Sequence, residues 1–242
     1  MKSNFRLAVN QYIDTFNLDL IFEKILVPKN QIFFIGGVCR SIILNNFNNY
    51  DIDLVVPKIN DETIESLKDN FEIKLNHNYK NISFKLNDLE VQISSFRKDI
   101  SNYGRHAKVE LAETIDIDSA RRDLTFNAIY INLLGEVTDF YSGEQDLLNS
   151  QLRFLGNPVE QIQEDYLRAI RYIRFLSLFN KPASIQIDIE AIKMLSKNII
   201  DFVKPNKIKQ EMLKIKKMEF PNNSLQFINQ NKELVFLNDF LD

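Results

Sequence analysis

Hydrophobic and polar residues follow two different periods in the first half of the chain. Residues 1–18 are amphipathic at helical spacing and predict an N-terminal helix. The apolar run 31–35 ends in Gly36 and Gly37, and the residues after the glycines return to helical spacing. This order predicts a strand, a glycine turn and a helix.

The segment YDIDLVV alternates between acidic and apolar positions just after this helix. Alternation predicts a strand, with Asp51, Asp53 and Val55 on one face and Ile52, Leu54 and Val56 on the other. The two aspartates therefore share a face. Shorter patterns add strands at 71–75, 81–86 and 89–96, a helix near 119–128 and a hairpin across 134–136.

From about Pro158 the pattern becomes helical. Helices are predicted at 160–179, 186–198, 206–219 and 223–237. The sequence contains no repeat and no Gly/Ser/Pro-rich linker. The prediction is an α+β protein with a mixed-sheet domain at 1–150 followed by an all-helical domain at 151–242.

Composition narrows the class of protein. With 45% hydrophobic and 26% charged residues in a chain of 242, the sequence predicts a soluble protein and excludes both a membrane span and general disorder. The N-terminus lacks an uninterrupted apolar stretch, so no export signal is predicted and a cytoplasmic location is expected. One cysteine and two histidines disfavour disulfide and Cys/His zinc chemistry.

Charge is divided unequally along the chain. Residues 161–220 carry 12 Lys and Arg against 7 Asp and Glu, whereas the whole chain has a net charge of -3. This division suits a carboxylate-bearing catalytic part joined to a part that holds a polyanion, although an uneven solvated surface explains it nearly as well.

The glycine pair and the two aspartates together indicate phosphate chemistry. Gly36 and Gly37 allow the backbone to approach a phosphate closely, and Arg40 adds positive charge near the start of the helix. Asp51 and Asp53 are spaced to share divalent ions, and paired ions of this kind activate an attacking hydroxyl and stabilise a leaving phosphate.

The alternative interpretation is structural. An Asp-x-Asp pair alone is more typical of a solvated strand face, and the preceding glycines favour the catalytic interpretation. Glu90 alternates in the same way in a later strand, and it is either a third catalytic acid or an exposed strand residue.

The segment FFIGGVCRSIILNNFNNYDIDLVV resembles the G-G-x-x-R-D and D-x-D signature of the class II tRNA nucleotidyltransferases, which comprise CCA-adding enzymes and bacterial poly(A) polymerases. The resemblance implies a polymerase-β-like nucleotidyltransferase head. It also implies two Mg²⁺ ions at Asp51 and Asp53. Ser41 stands where the signature has Asp, which leaves the orientation of Arg40 open.

A second motif, ARRDLTFNAIY, resembles R-R-D-F-T-x-N-A of the same family, in which arginine and aspartate contact the nucleotide and help to select ribose. On the predicted helix, Asp123 and Asn127 are one turn apart and Arg122 supplies a cation for phosphate. The alternative is a cluster of local salt bridges.

The segment QEDYLRAIRYIRF resembles E-D-x-x-R-x-x-R, the family motif that reads the incoming base without a template. Asp165 and Arg168, three residues apart on the predicted helix, offer an acceptor and donors for the edges of cytosine and adenine. Arg171 and Arg174 are predicted to meet phosphate or RNA. An exposed ion-paired helix is the alternative for this motif in isolation.

Two further elements extend the resemblance. TDFYSGEQDL is similar to D-P-x-G-G-x-x-D-L, which the family links to flexing between additions, with Phe140 and Ser142 as departures. VKPNKIKQEMLKI resembles R-I-x-x-E-L of the helical neck, so Lys207, Lys209 and Lys214 are predicted to contact RNA phosphate, or to form a solvated basic face.

The resemblance implies a CCA-adding tRNA nucleotidyltransferase, which transfers CMP, CMP and AMP from CTP and ATP to the 3′ end of tRNA. It divides the chain into a head at 1–150 and a neck at 151–242, with the family's body and tail shortened or absent. Either the basic helices hold the RNA, alone or with a second copy in a homo-oligomer, or the substrate is unusually small.

Several other functions remain open. These are a relative that adds only CC, only A or poly(A), an inactive RNA-binding protein, and a small-molecule nucleotidyltransferase.

Overall fold

A computed structural model describes residues 4–47, 51–101 and 108–241. Contacts between Cα atoms divide the chain into two compact units. Of the described residues, the first unit contains those up to 101 together with 108–122 and 126–144, and the second contains 123–125 and 145–241. The head and neck boundaries drawn from the sequence stay a prediction.

Both kinds of secondary structure occur along the described chain. The strands are β1 (Phe33–Ile35), β2 (Asp51–Val56), β3 (Lys74–Asn76), β4 (Asn81–Leu86), β5 (Leu89–Ser95), β6 (Arg97–Ser101), β7 (Lys108–Leu111), β8 (Ile129–Asn132), β9 (Val137–Asp139), β10 (Gln151–Leu152) and β11 (Ala183–Ser184).

The α-helices are α1 (Arg6–Phe16), α2 (Asp19–Lys24), α3 (Gly37–Leu44), α4 (Asp61–Lys68), α5 (Ile115–Ala120), α6 (Gly143–Leu148), α7 (Pro158–Glu164), α8 (Leu167–Leu176), α9 (Gln186–Met194), α10 (Ser196–Phe202), α11 (Pro205–Ile215) and α12 (Pro221–Gln230). Short 3₁₀ helices span Lys29–Gln31, Thr125–Asn127 and Lys232–Phe240. None of the helices in the described part of the chain combines the length and apolar character that a membrane crossing requires.

The central sheet of the first unit brings the acidic strands together. Within the described residues, seven strands pair in the order β3-β4-β5-β2-β1-β8-β9. β2 runs parallel to β5 in a register that pairs Asp51 with Glu90 and Asp53 with Gln92. Because paired residues on neighbouring strands point to the same face, Asp51, Asp53 and Glu90 lie on one side of the sheet.

Burial along β2 explains why this strand holds a fixed register. Ile52 and Leu54 are completely buried, so slipping by one residue would expose both. The burial of Ile52, Leu54 and Val56 agrees with the predicted alternation, whereas Val55, predicted on the face of the aspartates, is buried as well. β2 therefore begins at a polar edge and ends inside the core.

The turn between β8 and β9 holds the N-terminal segment closely. Gly135 has φ of +80°, and a Cβ atom placed there would lie 2.2 Å from the backbone nitrogen of Arg6. The Phe5 N–H donates to the Gly135 carbonyl at 2.8 Å. Only glycine permits this approach, and the hairpin predicted at 134–136 is confirmed.

The second unit is built around α8. Tyr172 and Ile173 are completely buried on this helix, and the Tyr172 ring stacks on Phe154 with centroids 4.9 Å apart. Asn157 caps α7 by accepting from the Val159 N–H at 2.9 Å. β10 pairs in parallel with β11, so the predicted all-helical description of this part is wrong in that detail.

Several predicted elements match the described structure. β1, β2, β4 and β5 and the helix after the glycine pair lie where the sequence patterns place them. The strand predicted at 71–75 lies later, at β3. The Phe71 N–H instead donates to the Leu67 carbonyl at the end of α4, and its ring stacks on Phe84 with centroids 4.5 Å apart.

The helix predicted near 119–128 is wrong. α5 ends at Ala120, and the residues after it bind the backbone of a later segment. The Leu155 N–H donates to the Asp123 carbonyl at 3.0 Å, and the Thr125 N–H donates to the Arg153 carbonyl at 3.1 Å. These long-range bonds replace the helical ones, so Asp123 and Asn127 are not one helical turn apart.

The long helices predicted for the second half are divided or shortened. The predicted helix 160–179 becomes α7 and α8, separated at Asp165, which has extended backbone angles of φ −151° and ψ 104°. The predicted helix 186–198 becomes α9 and α10, with Leu195 between them. The last two predicted helices correspond to α11 and to α12 with its following 3₁₀ helix.

We predict that Asp188→Asn stabilises the protein at neutral pH. Asp188 on α9 is 2% exposed, and burial raises the pKa of its carboxyl to about 6, although the Phe154 N–H and Arg153 oppose this. An acid whose pKa is higher in the folded protein than in the unfolded chain destabilises the fold when it ionises. This loss of stability develops as pH rises from the pKa in the unfolded chain, about 4, through the pKa in the folded protein. The free energy of unfolding of the variant relative to wild type should rise by about 1–3 kcal/mol between pH 4 and 7.

Urea denaturation followed by circular dichroism measures this difference. Asp201→Asn, at an exposed position on α10, is the control for loss of a negative charge alone. A pH-independent difference between Asp188→Asn and wild type would contradict the prediction.

Candidate functional site

The glycine turn after β1 lies against an aspartate of β2. Gly36 has φ of +59° and ψ of −121° and occupies the position before the first residue of α3. A Cβ atom at Gly36 would lie 3.7 Å from Asp53 Oδ2, so the turn passes directly beside this carboxylate. The backbone N–H groups in the first turn of a helix such as α3 favour an anion.

Arg40 and Asn127 are predicted separately from two motifs, and the structure brings them together. Arg40 Nη1 donates to Asn127 Oδ1 at 2.5 Å. The Arg40 guanidinium also lies 6.0 Å from the centroid of the Phe126 ring. Asn127 and Phe126, both from the second motif, therefore hold the Arg40 side chain in its orientation, which the departure at Ser41 leaves undetermined in the sequence.

Two further carboxylates, one on β2 and one on β5, lie on the same face of the sheet as Asp53. Asp51 and Glu90 are exposed and paired across neighbouring strands, and Asp53 is partly buried. Among the described residues, no group of three or more His, Cys, Asp or Glu forms a site able to hold a metal ion. Mg²⁺ is commonly bound through one or two carboxylates together with substrate phosphates, so the pair Asp51 and Asp53 beside a helix N-terminus fits this ion.

A buried carboxylate that sequence reasoning missed holds the arginines of the second motif. Asp118 is completely buried. Its Oδ1 accepts from Arg121 Nε at 3.0 Å and from the Arg97 N–H at 3.0 Å. Its Oδ2 accepts from Arg122 Nη2 at 2.8 Å and from the Tyr130 hydroxyl at 2.5 Å. Asp118 is thus shared by two guanidinium groups.

The electrostatics of this cluster keep the carboxylate ionised. Burial alone raises the pKa of Asp118, but Arg122 and Arg121 outweigh it and hold that pKa well below its usual range. Burial and the neighbouring Arg122 lower the pKa of Arg121 to about 10. Asp118 could have been found from its spacing, since it precedes Arg122 by four residues, had the helix been predicted to begin four residues earlier, at Ile115.

In the second unit, Asp123 and Arg171 form an ion pair. Arg171 Nε donates to Asp123 Oδ2 at 2.6 Å, and Asp123 Oδ1 accepts from the Leu124 N–H at 2.9 Å. Asp123 is buried, whereas 37% of the Arg171 side chain is exposed. The Asp123 carboxylate raises the pKa of Arg171. The sequence assigned these residues to different motifs and did not predict their contact.

Asp165 and Arg168 do not share a helix as predicted. Asp165 lies before α8, where its Oδ1 accepts from the Leu167 N–H at 3.0 Å. Arg168 Nη1 donates to Glu164 Oε2 at 2.7 Å and also to Gln161 Oε1. Arg168 is buried, and Asp165 is partly exposed at the break between α7 and α8. Their role in base selection stays a prediction.

The remaining cations of the second unit differ in their surroundings. Arg174 Nε donates to the buried Glu211 at 2.7 Å, and Lys214 binds the same carboxylate at 2.8 Å. Lys207 and Lys209 are exposed on α11. Arg174 and Lys214 are therefore held by an acid, and Lys207 and Lys209 point to solvent.

The segment that resembles the family's hinge element forms a tight turn. Asp139 accepts from the N–H groups of Tyr141, Gly143 and Glu144 at 2.9–3.0 Å. Ser142, which stands where the family has glycine, has φ of +60°. Ser142 thus adopts a backbone conformation that glycine adopts without strain.

The fold and the sequence together define the family. A sequence profile described as the poly(A) polymerase head domain matches residues 32–153. The chain belongs to this family, and the resemblance drawn from the motifs is confirmed.

Curated relatives carry specific names. The chain is 31% identical over 196 residues to human CCA tRNA nucleotidyltransferase 1, mitochondrial. The aligned residues cover 78% of this chain and 44% of the human protein. It is also 30% identical over 207 residues to the CCA-adding enzyme of Staphylococcus epidermidis. Here the aligned residues cover 85% of this chain and 50% of that protein. The chain spans about half the length of the curated relatives it matches.

Solved structures of similar fold are also CCA-adding enzymes. The Thermotoga maritima CCA-adding enzyme complexed with tRNA has a TM-score of 0.76 at 22% identity, over 96% of this chain and 55% of that one. The Bacillus stearothermophilus CCA-adding enzyme in complex with CTP has a TM-score of 0.70 at 20% identity, over 83% of this chain and 48% of that one. The predicted α+β fold with a polymerase-β-like head is confirmed.

We predict that Asp118→Asn destabilises the first unit strongly. The substitution leaves two partly buried guanidinium groups without the carboxylate that they share, so the free energy of unfolding should fall by about 3–5 kcal/mol at pH 7. A carboxyl with a lowered folded-state pKa contributes stability above its unfolded pKa and loses it in acid. The deficit of the variant should therefore shrink as pH falls below about 4.

Denaturant titrations of matched variants check this expectation. Asp116→Asn alters an exposed acid of the same helix and should change stability by less than about 0.5 kcal/mol. Tyr130→Phe removes one hydrogen bond to Asp118 and should cost about 1 kcal/mol. Equal stability of Asp118→Asn and Asp116→Asn at pH 7 would be inconsistent with the anchoring role.

Proposed function

We propose that this protein is a CCA-adding tRNA nucleotidyltransferase that transfers CMP, CMP and AMP from CTP and ATP to the 3′ end of tRNA. The observation that carries the proposal is the glycine turn at the start of α3, which lies so near Asp53 that a Cβ atom added at Gly36 would be 3.7 Å from Asp53 Oδ2. A triphosphate-binding helix start beside a carboxylate is what nucleotidyl transfer requires. The names of the relatives support the same activity.

Residues of the first unit hold the triphosphate in this proposal. The N–H groups at Gly37 and in the first turn of α3 bind phosphate oxygens, and Arg40 adds charge from the same helix. Arg40 is oriented by Asn127. Arg122 supplies a second guanidinium, which Asp118 and Tyr130 hold in one orientation. Preorganised cations stabilise the charge that develops on the leaving pyrophosphate.

The acids of β2 would hold Mg²⁺ at the same turn. Asp51 and Asp53 are the proposed ligands, with Glu90 as their neighbour on β5. The bound ion would lower the pKa of the attacking RNA 3′-hydroxyl and neutralise phosphate charge. The protein side chains position the α-phosphate, and the 3′-oxygen forms a bond to it as the bond to pyrophosphate breaks.

Residues of the second unit are proposed to recognise the sugar and base. Asp123, held by Arg171, accepts from a ribose hydroxyl. Asp165 and Arg168 present an acceptor and donors to the base edge. Lys207, Lys209 and Lys214, with Arg174, contribute positive charge for RNA phosphate. A cytoplasmic location is part of the proposal.

The proposal predicts a specific pattern of nucleotide addition. A tRNA that ends at its discriminator base should gain two nucleotides with Mg²⁺ and CTP alone, and a terminal A only when ATP is also present. Asp53→Asn should slow addition by at least about 100-fold, because it removes a carboxylate beside the phosphate site. Sizing and sequencing of the RNA 3′ ends measures both effects.

Asp69→Asn, which alters an exposed acid of the same unit, is the control and should retain activity. A long A ladder would favour a poly(A) polymerase, and addition of only CC or only A would favour a partial-specificity enzyme. Addition no faster than that of Asp53→Asn, together with RNA binding, would favour an inactive binder.

We also predict that Asp165→Asn relaxes base selection. Asparagine retains an oxygen for the Leu167 N–H, so the start of α8 should persist. It replaces a carboxylate acceptor with an amide, which lowers kcat/KM for CMP addition by about 10- to 100-fold and raises incorporation of other bases.

Single-turnover assays with each of the four nucleotides test base selection. Glu160→Gln removes an exposed acid from the neighbouring α7 and should leave selection unchanged. Unaltered discrimination by the Asp165→Asn protein would exclude Asp165 from base reading.

A further inference from the structure

An aromatic pair in the second unit presents a flat ring to solvent. Phe202 is the last residue of α10, and 61% of it is exposed. Its ring is stacked on Tyr166, with centroids 5.2 Å apart and planes inclined by only 13°. Single exposed apolar residues are common on protein surfaces, but an ordered parallel stack with an exposed outer ring is a more specific feature.

Both rings are attached to well-held backbone. Tyr166 directly precedes α8, and its carbonyl accepts from the Ala169 N–H at 3.3 Å. Val203, which follows Phe202, is buried, and its N–H donates to the Ile199 carbonyl at 3.0 Å. A ligand that stacks on Phe202 therefore meets a surface that is already ordered, which reduces the entropic cost of binding.

The charge of the chain segment that contains Phe202 favours a polyanion. Residues 197–209 contain Lys197, Lys204, Lys207 and Lys209 against Asp201 alone, and all four lysines are exposed. None of the four takes part in an ion pair within the part of the chain that the structure describes, whereas Lys214 binds Glu211. Lysines without acidic partners bind phosphate groups well.

We propose that Phe202, backed by Tyr166, is a stacking platform for a base of single-stranded RNA, and that the neighbouring lysines bind the phosphates on either side of that base. Stacking on aromatic rings combined with positive charge is how proteins bind single strands without reading their sequence. The inference rests on the proposed function, because it assumes an RNA substrate, and it adds a binding residue that no motif contains.

A single tryptophan tests the platform, since the natural chain has none. Phe202→Trp places an indole on the platform, and stacking of a base should quench its fluorescence. A short single-stranded RNA ending in CC should quench it in a saturable manner, and the same concentration of CTP should not. The matched control is Ile200→Trp, at a position 53% exposed on another face of the same helix, and RNA should leave its fluorescence nearly unchanged.

Affinity provides a second measurement. Phe202→Ala should weaken binding of the RNA by about 5- to 150-fold in fluorescence polarisation, and Phe202→Tyr should retain most of it. Ile200→Ala should have no effect.

The outcomes separate this proposal from the proposed function. RNA binding by polarisation without quenching at Phe202→Trp overturns the platform and leaves nucleotide addition standing. Equal quenching by CTP alone, or equal quenching of Ile200→Trp, also overturns it. Quenching by RNA in a protein that adds no nucleotides supports the platform and overturns the enzyme. Absence of RNA binding in the wild-type protein overturns the platform.

Discussion

The first unit depends on one buried carboxylate that faces two guanidinium groups. Removing an ionised acid from water costs several kcal/mol, and at Asp118 the two arginines and the Tyr130 hydroxyl offset that cost. Tyr130 is paired with Ile35, the residue that leads into the glycine turn. Asp118 therefore connects α5 to the strand that positions the phosphate site, and the direction of Arg122 follows from it.

The parts of the site that the sequence predicts well are those set by neighbouring residues. Gly36, Gly37 and the alternation around Asp51 and Asp53 are local patterns, and each corresponds to one turn or one strand. The pairing of Glu90 with Asp51 is harder to predict from the sequence, because strand register depends on how distant segments meet. The sequence predicted the correct strands and the shared face, but it did not predict which acids would be neighbours.

The errors arise where distant groups compete with local propensity. The sequence predicts a helix over the R-R-D-L segment, yet Asp123 and Thr125 form backbone hydrogen bonds with a segment 28 or more residues later. The helix predicted around Asp165 is divided, because the Asp165 side chain accepts a hydrogen bond from the Leu167 N–H. The ion pair between Asp123 and Arg171 could not be predicted for the same reason, since it joins positions 48 residues apart.

The strand order has a consequence for synthesis of the protein on the ribosome. β1 pairs on one side with β2, but its other partner, β8, ends at Asn132. While a nascent chain is still shorter than this, one edge of β1 presents unpaired amide and carbonyl groups, and such edges recruit other chains. The apolar Phe33–Ile35 segment gains its second partner only when β8 has also emerged from the ribosome, which happens after translation has passed residue 132.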